Sequence, residues 1–155
     1  VLIYMNIFIF GTLMDKALLE IVLGRKVELV SATLKDYGVF KVMDADYPVM
    51  IKSVGLVANG IILNELTKMD ILRTDFYEHI FDYFLKPVQV LSKEVLIDTQ
   101  VYMPSKMIPR LEEPWSLKDW QEVSGERTHG FAKKVMTKFG VLSVDEMKKD
   151  IKSYF

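Results

Sequence analysis

The chain predicts an α+β fold built on one mixed sheet or barrel. Three observations carry that reading. Strand-like apolar runs fill the first two thirds, the patterns that open helices crowd the last third, and a single helical stretch follows the first strand at once. Strands gathered early and helices late do not suit a doubly wound parallel sheet, where the two alternate throughout. The 155 residues suit one domain, 1–155, with a core of useful size. Half the residues are apolar and 26% are charged, which excludes a disordered chain. A net charge of −1 with interleaved signs gives no basic footprint for nucleic acid or an anionic membrane. There is no cysteine, so disulfides, thiolate catalysis and cysteine–metal sites are excluded. The two histidines, His79 and His129, are far apart, which argues against a histidine-rich metal site.

The opening run "VLIYMNIFIF" lacks a basic segment and a small-residue cleavage site, and it is too short to span a bilayer. It reads as a buried strand from Leu2 to Phe10. Thr12 and Asp15 then have the spacing of a capping box, in which each side chain satisfies a backbone N–H of the other. Met14, Leu18, Ile21 and Val22 form one face of the helix that follows, and Gly24 is its left-handed stop. "KVELVSATLKDYG" alternates and then meets a turn at Asp36 to Gly38. "VFKVMDADYPVMIKS" reads as strand, solvated turn and strand. "GLVANGIILNEL" reads as a further strand with a turn or bulge at Asn59–Gly60. Thr67 and Asp70 make a second capping box over a short helix ending near Arg73. "YFLKPVQVLS" and "VLIDTQVYM" form a hairpin, with Pro87 confining the first strand to an edge or an irregular start. "PRLEEP" is loop-like. Ser116 with Asp119 and Ser143 with Glu146 open two closing helices, with Gly140 between them. Trp115 and Trp120 are packing groups, and the methionines suggest an adaptable core.

Two stretches could carry chemistry. In "FIFGTLMD" a strand runs into Gly11 and a helix end. Unpaired N–H groups and the helix dipole would make an anion site there, although an ordinary connection explains the same residues. It is not a phosphate loop, because the repeated glycines and the lysine are missing. In "LRTDFYEHIFDYF", Asp75 and Glu78 lie among aromatic residues that would strip hydration and raise a carboxyl pKa. The plain alternative is that Asp75 caps a turn and Glu78 completes its capping box.

Together these stretches resemble the γ-glutamylcyclotransferase-like superfamily, in particular its AIG2-like branch. "FIFGTLMD" matches a first strand ending in Tyr-Gly-Thr-Leu, and "TDFYEHIFDYF" matches a later Leu-Asp-x-Phe/Tyr-Glu with a tyrosine opening the next strand. "VSATLKDYGVF", "DYPVMIKS", "VANGIILNEL", "VQVL", "TQVYM" and "PWSLKDW" fall in the expected order. The likeness runs from Asn6 to about Phe139 and leaves Ser143 to Phe155 as an appended helix.

The resemblance implies a small mixed β-barrel with flanking helices and a pocket at its mouth. It implies release of 5-oxoproline from a γ-glutamyl amine or small γ-glutamyl peptide, with Glu78 as general acid/base. The Gly11, Thr12 and Leu13 backbone would hold the α-carboxylate, with Phe10 and Tyr83 in the substrate site. No metal or organic cofactor is implied, and the partner is the small γ-glutamyl substrate, with neither nucleic acid nor membrane. The expected protein is a cytoplasmic monomer or homodimer. Phe10 departs from the family tyrosine, Thr74–Asp75 replaces Leu-Asp, and His79 replaces a glycine. A catalytically weak or inactive member, acting as a small-molecule binding or protein-interaction module, is the alternative.

Overall fold

A computed structural model describes residues 4–154. The expected strand from Leu2 is seen there as β1, Met5–Ile9; residues 2 and 3 lie outside the described ones. β1 is apolar from Ile7 to Ile9, where both of its faces are buried. Ile7 and Ile9 point towards the helices, whereas Phe8 and Phe10 point into the barrel interior.

Five strands close a ring. β2 (Val30–Val42), β3 (Pro48–Leu66), β4 (Tyr83–Ser92) and β5 (Val95–Pro104) join β1 in the order β3-β1-β5-β4-β2, and β2 returns to β3. Only β1 and β5 run parallel within this ring; its other pairs are antiparallel. The expected mixed barrel is therefore present. Phe8, Leu34, Met50, Ile62, Val90 and Val101 help to fill its interior.

Several local expectations change. The turn expected at Asp36–Gly38 is a bulge inside β2, where Asp36 takes φ 64° and the register slips. The two strands expected on either side of Gly55 are one bent strand, β3. Its register with β2 jumps from Lys35↔Val57 to Tyr37↔Lys52, so residues 53–56 form the excess on its side. Asn59–Gly60 is in regular register. Gly60 is required there by close approach, since a Cβ would lie 2.3 Å from the Ile9 carbonyl oxygen. "PRLEEP" is not a loop: its Arg110–Pro114 forms β6, paired with the far half of β2. The β4–β5 hairpin forms as expected, around Lys93 and Glu94 at positive φ. Pro87 pairs with Gln100 of β5, and β2 meets β4 only at Leu91, so the proline faces no second strand.

The helices pack on the outer face of β1. They are α1 (Lys16–Leu23), α2 (Lys68–His79), α3 (Leu117–Trp120), α4 (Glu126–Met136) and α5 (Val144–Asp150). A π-helical turn, Gln121–Gly125, joins α3 to α4. The Thr67–Asp70 and Ser143–Glu146 capping boxes form as expected, and Gly24 ends α1 at φ 72°. Far from being a loose addition, α5 seats Met147 fully within the helix-side core, and Lys148 pairs with Asp82 at 2.6 Å. Among the described residues, no helix is long and apolar enough to cross a membrane.

Candidate active site

The end of β1 is tighter than its sequence suggests. Thr12–Met14 form one 3₁₀ turn, and α1 starts only at Lys16. The expected Thr12–Asp15 capping box is absent, because Asp15 itself caps α1 by accepting from the Leu18 N–H at 2.9 Å. Asp15 also accepts from Gln121 at 2.7 Å and meets His129 Nε2 at 2.5 Å. Burial alone would raise its pKa. The Leu18, Gln121 and His129 contacts outweigh burial and hold it below the usual carboxylate value. The positive end of the α1 dipole is thus already met by the chain's own carboxylate. What stays open nearby are the Thr12 and Leu13 N–H groups, the first two of the 3₁₀ turn, which have no partner within it. Gly11 has negative φ; a Cβ there would meet Pro48 Cγ at 3.2 Å.

The second part is the end of α2. This helix does not stop near Arg73 but continues to His79, so Asp75 caps no turn and Glu78 completes no capping box. Three residues apart, the two carboxylates are neighbours on one helix face. Glu78 is half-buried, and its carboxyl is crowded by protein. Burial first, then the like charge of Asp75, pushes its pKa up to about 8. No side-chain hydrogen bond opposes the shift among the described residues. The negative charge of Glu78 in turn acts on three tyrosines, Tyr77, Tyr83 and Tyr102, which burial already pushes up. The hydroxyl of Tyr83 is buried with no hydrogen-bond partner, which marks a place for an outside polar group.

The turn between β2 and β3 is the neighbour these two parts share. Pro48 abuts Gly11, the charge of Asp46 reaches Tyr77, and Tyr47 is a neighbour of Tyr83. The turn is anchored as well as solvated: Trp115 Nε1 donates to the Asp46 carbonyl at 2.8 Å, and Arg127 pairs with its carboxylate at 2.9 Å. Leu13, Tyr77 and Tyr83 pack in one apolar cluster on the helix side. No hydrogen bond joins Glu78 to the Gly11–Leu13 backbone among the described residues. Phe10 stands apart, in the barrel-interior cluster. It lines a cavity of about 350 Å³ with Met14, Phe40, Leu56, Trp115 and Leu117. Glu78 and Tyr83 do not line that cavity. Its volume therefore does not locate the chemistry, for which the perturbed carboxyl is the better guide.

Sequence reading missed Tyr102, Gln121 and His129 as partners of the acids, since each lies 27 to 114 residues from the acid it meets. Asp75 was visible only as one of two acids.

The comparisons with known proteins fit this fold. The family model described as "Gamma-glutamyl cyclotransferase, AIG2-like" matches residues 7–122. Protein AIG2 C of Arabidopsis thaliana is 26% identical over 131 residues, which is 79% of this chain and 75% of that protein. AIG2-like protein D of Arabidopsis thaliana is 29% identical over 137 residues, 86% of each chain. A solution structure of an Arabidopsis thaliana protein superposes with TM-score 0.63 at 23% identity, covering 89% of this chain and 84% of that one. A solved structure described as gamma-glutamyl cyclotransferase superposes with TM-score 0.59 at 13% identity over 97% of this chain and 99% of that one, a likeness of fold alone. With its model matched over most of the chain and the closed mixed barrel in place, this protein belongs to the AIG2-like gamma-glutamyl cyclotransferase family.

Proposed function

We propose that the protein is a γ-glutamyl cyclotransferase that releases 5-oxoproline from a γ-glutamyl amine or a small γ-glutamyl peptide. One observation carries this reading: the half-buried Glu78 carboxyl, raised to about 8, acts on Tyr83, whose buried hydroxyl has no hydrogen-bond partner among the described residues. A carboxyl with that proton affinity can both take and return a proton near neutral pH.

The substrate's α-ammonium gives one proton to the Glu78 carboxylate. The freed amine nitrogen attacks the γ-carbonyl carbon, forming the new C–N bond and a tetrahedral oxyanion. The oxyanion collapses, the old C–N bond breaks, and Glu78 returns its proton to the departing nitrogen. The attacking nitrogen, which still carries one proton too many for an amide, releases it to the amine product or to water. The products are 5-oxoproline and a free amine. Because nucleophile and electrophile share one molecule, the site's main task is to hold the folded-back conformer. The open Thr12 and Leu13 N–H groups suit the α-carboxylate, and Tyr83 can donate to the γ-carbonyl oxygen.

A second reading rests on Phe10. It lacks the family tyrosine's hydroxyl and sits in the barrel core beside an apolar cavity. This favours a binding module that keeps the pocket without turnover. Assaying 5-oxoproline release from γ-glutamyl amines, γ-glutamyl dipeptides and glutathione separates the two. Turnover by wild type that Glu78→Gln abolishes supports the enzyme. Calorimetric binding of the same compounds without turnover supports the module. Equal turnover by the variant removes Glu78 from the mechanism.

A further inference from the structure

α2 carries two carboxylates one turn apart, and their surroundings differ. Asp75 Oδ1 lies 2.7 Å from the Tyr102 hydroxyl, which lies 2.8 Å from Thr74 Oγ1. His79 Nε2 is 3.6 Å from the same Asp75 oxygen, and the His79 ring stacks on Phe84 at 4.7 Å. Tyr102 is 5% exposed and Thr74 1%, so this network is closed from water on the β5 side. A hydroxyl has one proton, and an ionised carboxylate can only accept. Tyr102 therefore shares its one proton between Asp75 and Thr74, with the carboxylate the stronger acceptor, while the Thr74 hydroxyl donates to the Asp70 and Ile71 carbonyls at 3.2 Å. Glu78 has no such donor among the described residues.

We infer that Asp75 is a positioning residue for Glu78: held in place by the Tyr102 hydroxyl, it sets a second carboxylate beside the next one along the helix and, added to burial, favours Glu78 as the proton carrier. The inference rests on the proposed role of Glu78 in the reaction. Like charges on one helix face repel, and Glu78, which lacks a donor among the described residues, has nothing to offset that repulsion. The groups around Glu78 leave that logic intact. On its own helix are Asp75, Tyr77 and His79; from β4 comes Tyr83, and from β5 Tyr102. Asp46 and Tyr47 reach the same tyrosines from the β2–β3 turn. Among the described residues no lysine or arginine pairs with Asp75 or Glu78. A greater proton affinity at Glu78 narrows its gap to the substrate ammonium, which makes the first proton transfer easier.

The test reads Glu78 directly. Its carboxyl carbon is followed by NMR across pH in glutamate-labelled protein and assigned by its loss in Glu78→Gln. In Asp75→Asn the midpoint should fall by about one pH unit or more. In Tyr102→Phe it should fall by less, because Asp75 keeps its charge but is free to turn to water. The acid limb of kcat/KM should move with it. A purely structural Asp75 would lower Tm and kcat without moving the midpoint, and that result overturns the inference. If Asp75→Asn does not fold, an unmoved midpoint in Tyr102→Phe overturns it equally. A moved midpoint with no 5-oxoproline from any substrate supports the coupling and overturns the proposed function. An unmoved midpoint with ample turnover does the reverse.

Discussion

The start of α1 and the end of α2 each hold a carboxylate withdrawn from water, and the two groups are driven in opposite directions. Asp15 is surrounded by donors: the Leu18 N–H, Gln121 and His129. Their bonds outweigh burial and favour the charged form. Glu78 meets burial and a like charge with no donor, and its proton is held up to about 8. Burial pushes both carboxyls up; the donors around Asp15 reverse that push, and none among the described residues does so at Glu78. Asp15 is suited to tying α4 to α1, and Glu78 to exchanging a proton.

The largest effect should come from exchanging these roles. Glu78→Gln keeps shape and removes the proton carrier, so 5-oxoproline release should fall by about 100- to 10,000-fold. Its Tm should not fall, because no hydrogen bond is lost. Asp15→Ala should do the opposite and leave a substantial fraction of kcat. It removes a helix cap and the Asp15 bonds to exposed Gln121 and half-buried His129, at a cost of about 2 kcal/mol, seen as a Tm lower by about 4–8 °C. If Glu78→Gln is the variant that melts early, the contrast is wrong.

pH sharpens the same contrast through its sign. Asp15 is depressed in the folded state, so its contribution is present above its unfolded pKa of 3.8 and is lost as pH falls through the folded value. Glu78 is a raised acid, the reverse case. It costs nothing while protonated in both states, and the cost grows as pH rises from its unfolded value of 4.5 towards about 8. Denaturant melts of wild type and Glu78→Gln should therefore coincide near pH 4.5 and separate by pH 8, with the variant more stable. A constant gap would mean that Glu78 titrates normally.

How much of this the sequence reveals depends on the range of each interaction. The Thr67 and Ser143 caps were legible because a capping box closes within three residues. The apolar Ile7–Ile9 run of β1 was legible because both its faces are buried there. Asp15 misled: its spacing from Thr12 matches a capping box, yet partners 106 and 114 residues away set its surroundings. Asp36–Gly38 misled for another reason, since the chemistry that suits a turn also suits a bulge with positive φ. Glu78 was picked out by its aromatic setting. The extent of α2 was not, because Thr74 and Asp75 resemble a turn until Tyr102 arrives from β5 to bind both.

The smallest effect lies at the other end of α1 and tests how firmly the two carboxylate regions are coupled. Arg73 of α2 donates from Nε to the Val22 carbonyl at 2.7 Å, and its guanidinium lies 5.2 Å from the Phe139 ring centre. It therefore meets the carbonyl end of α1 with positive charge, as Asp15 meets the amide end with negative charge. Gly24 lets it in, since a Cβ there would sit 3.0 Å from the guanidinium carbon. Arg73→Met keeps most of the stem and removes the donors, so it should cost about 1 kcal/mol, or about 2–4 °C in Tm. Because α1 leads back to the Thr12–Leu13 turn, while Arg73 precedes Asp75 and Glu78 on α2, KM should rise more than kcat falls. A loss confined to kcat would mean that Arg73 reaches Glu78 along α2 and not through α1.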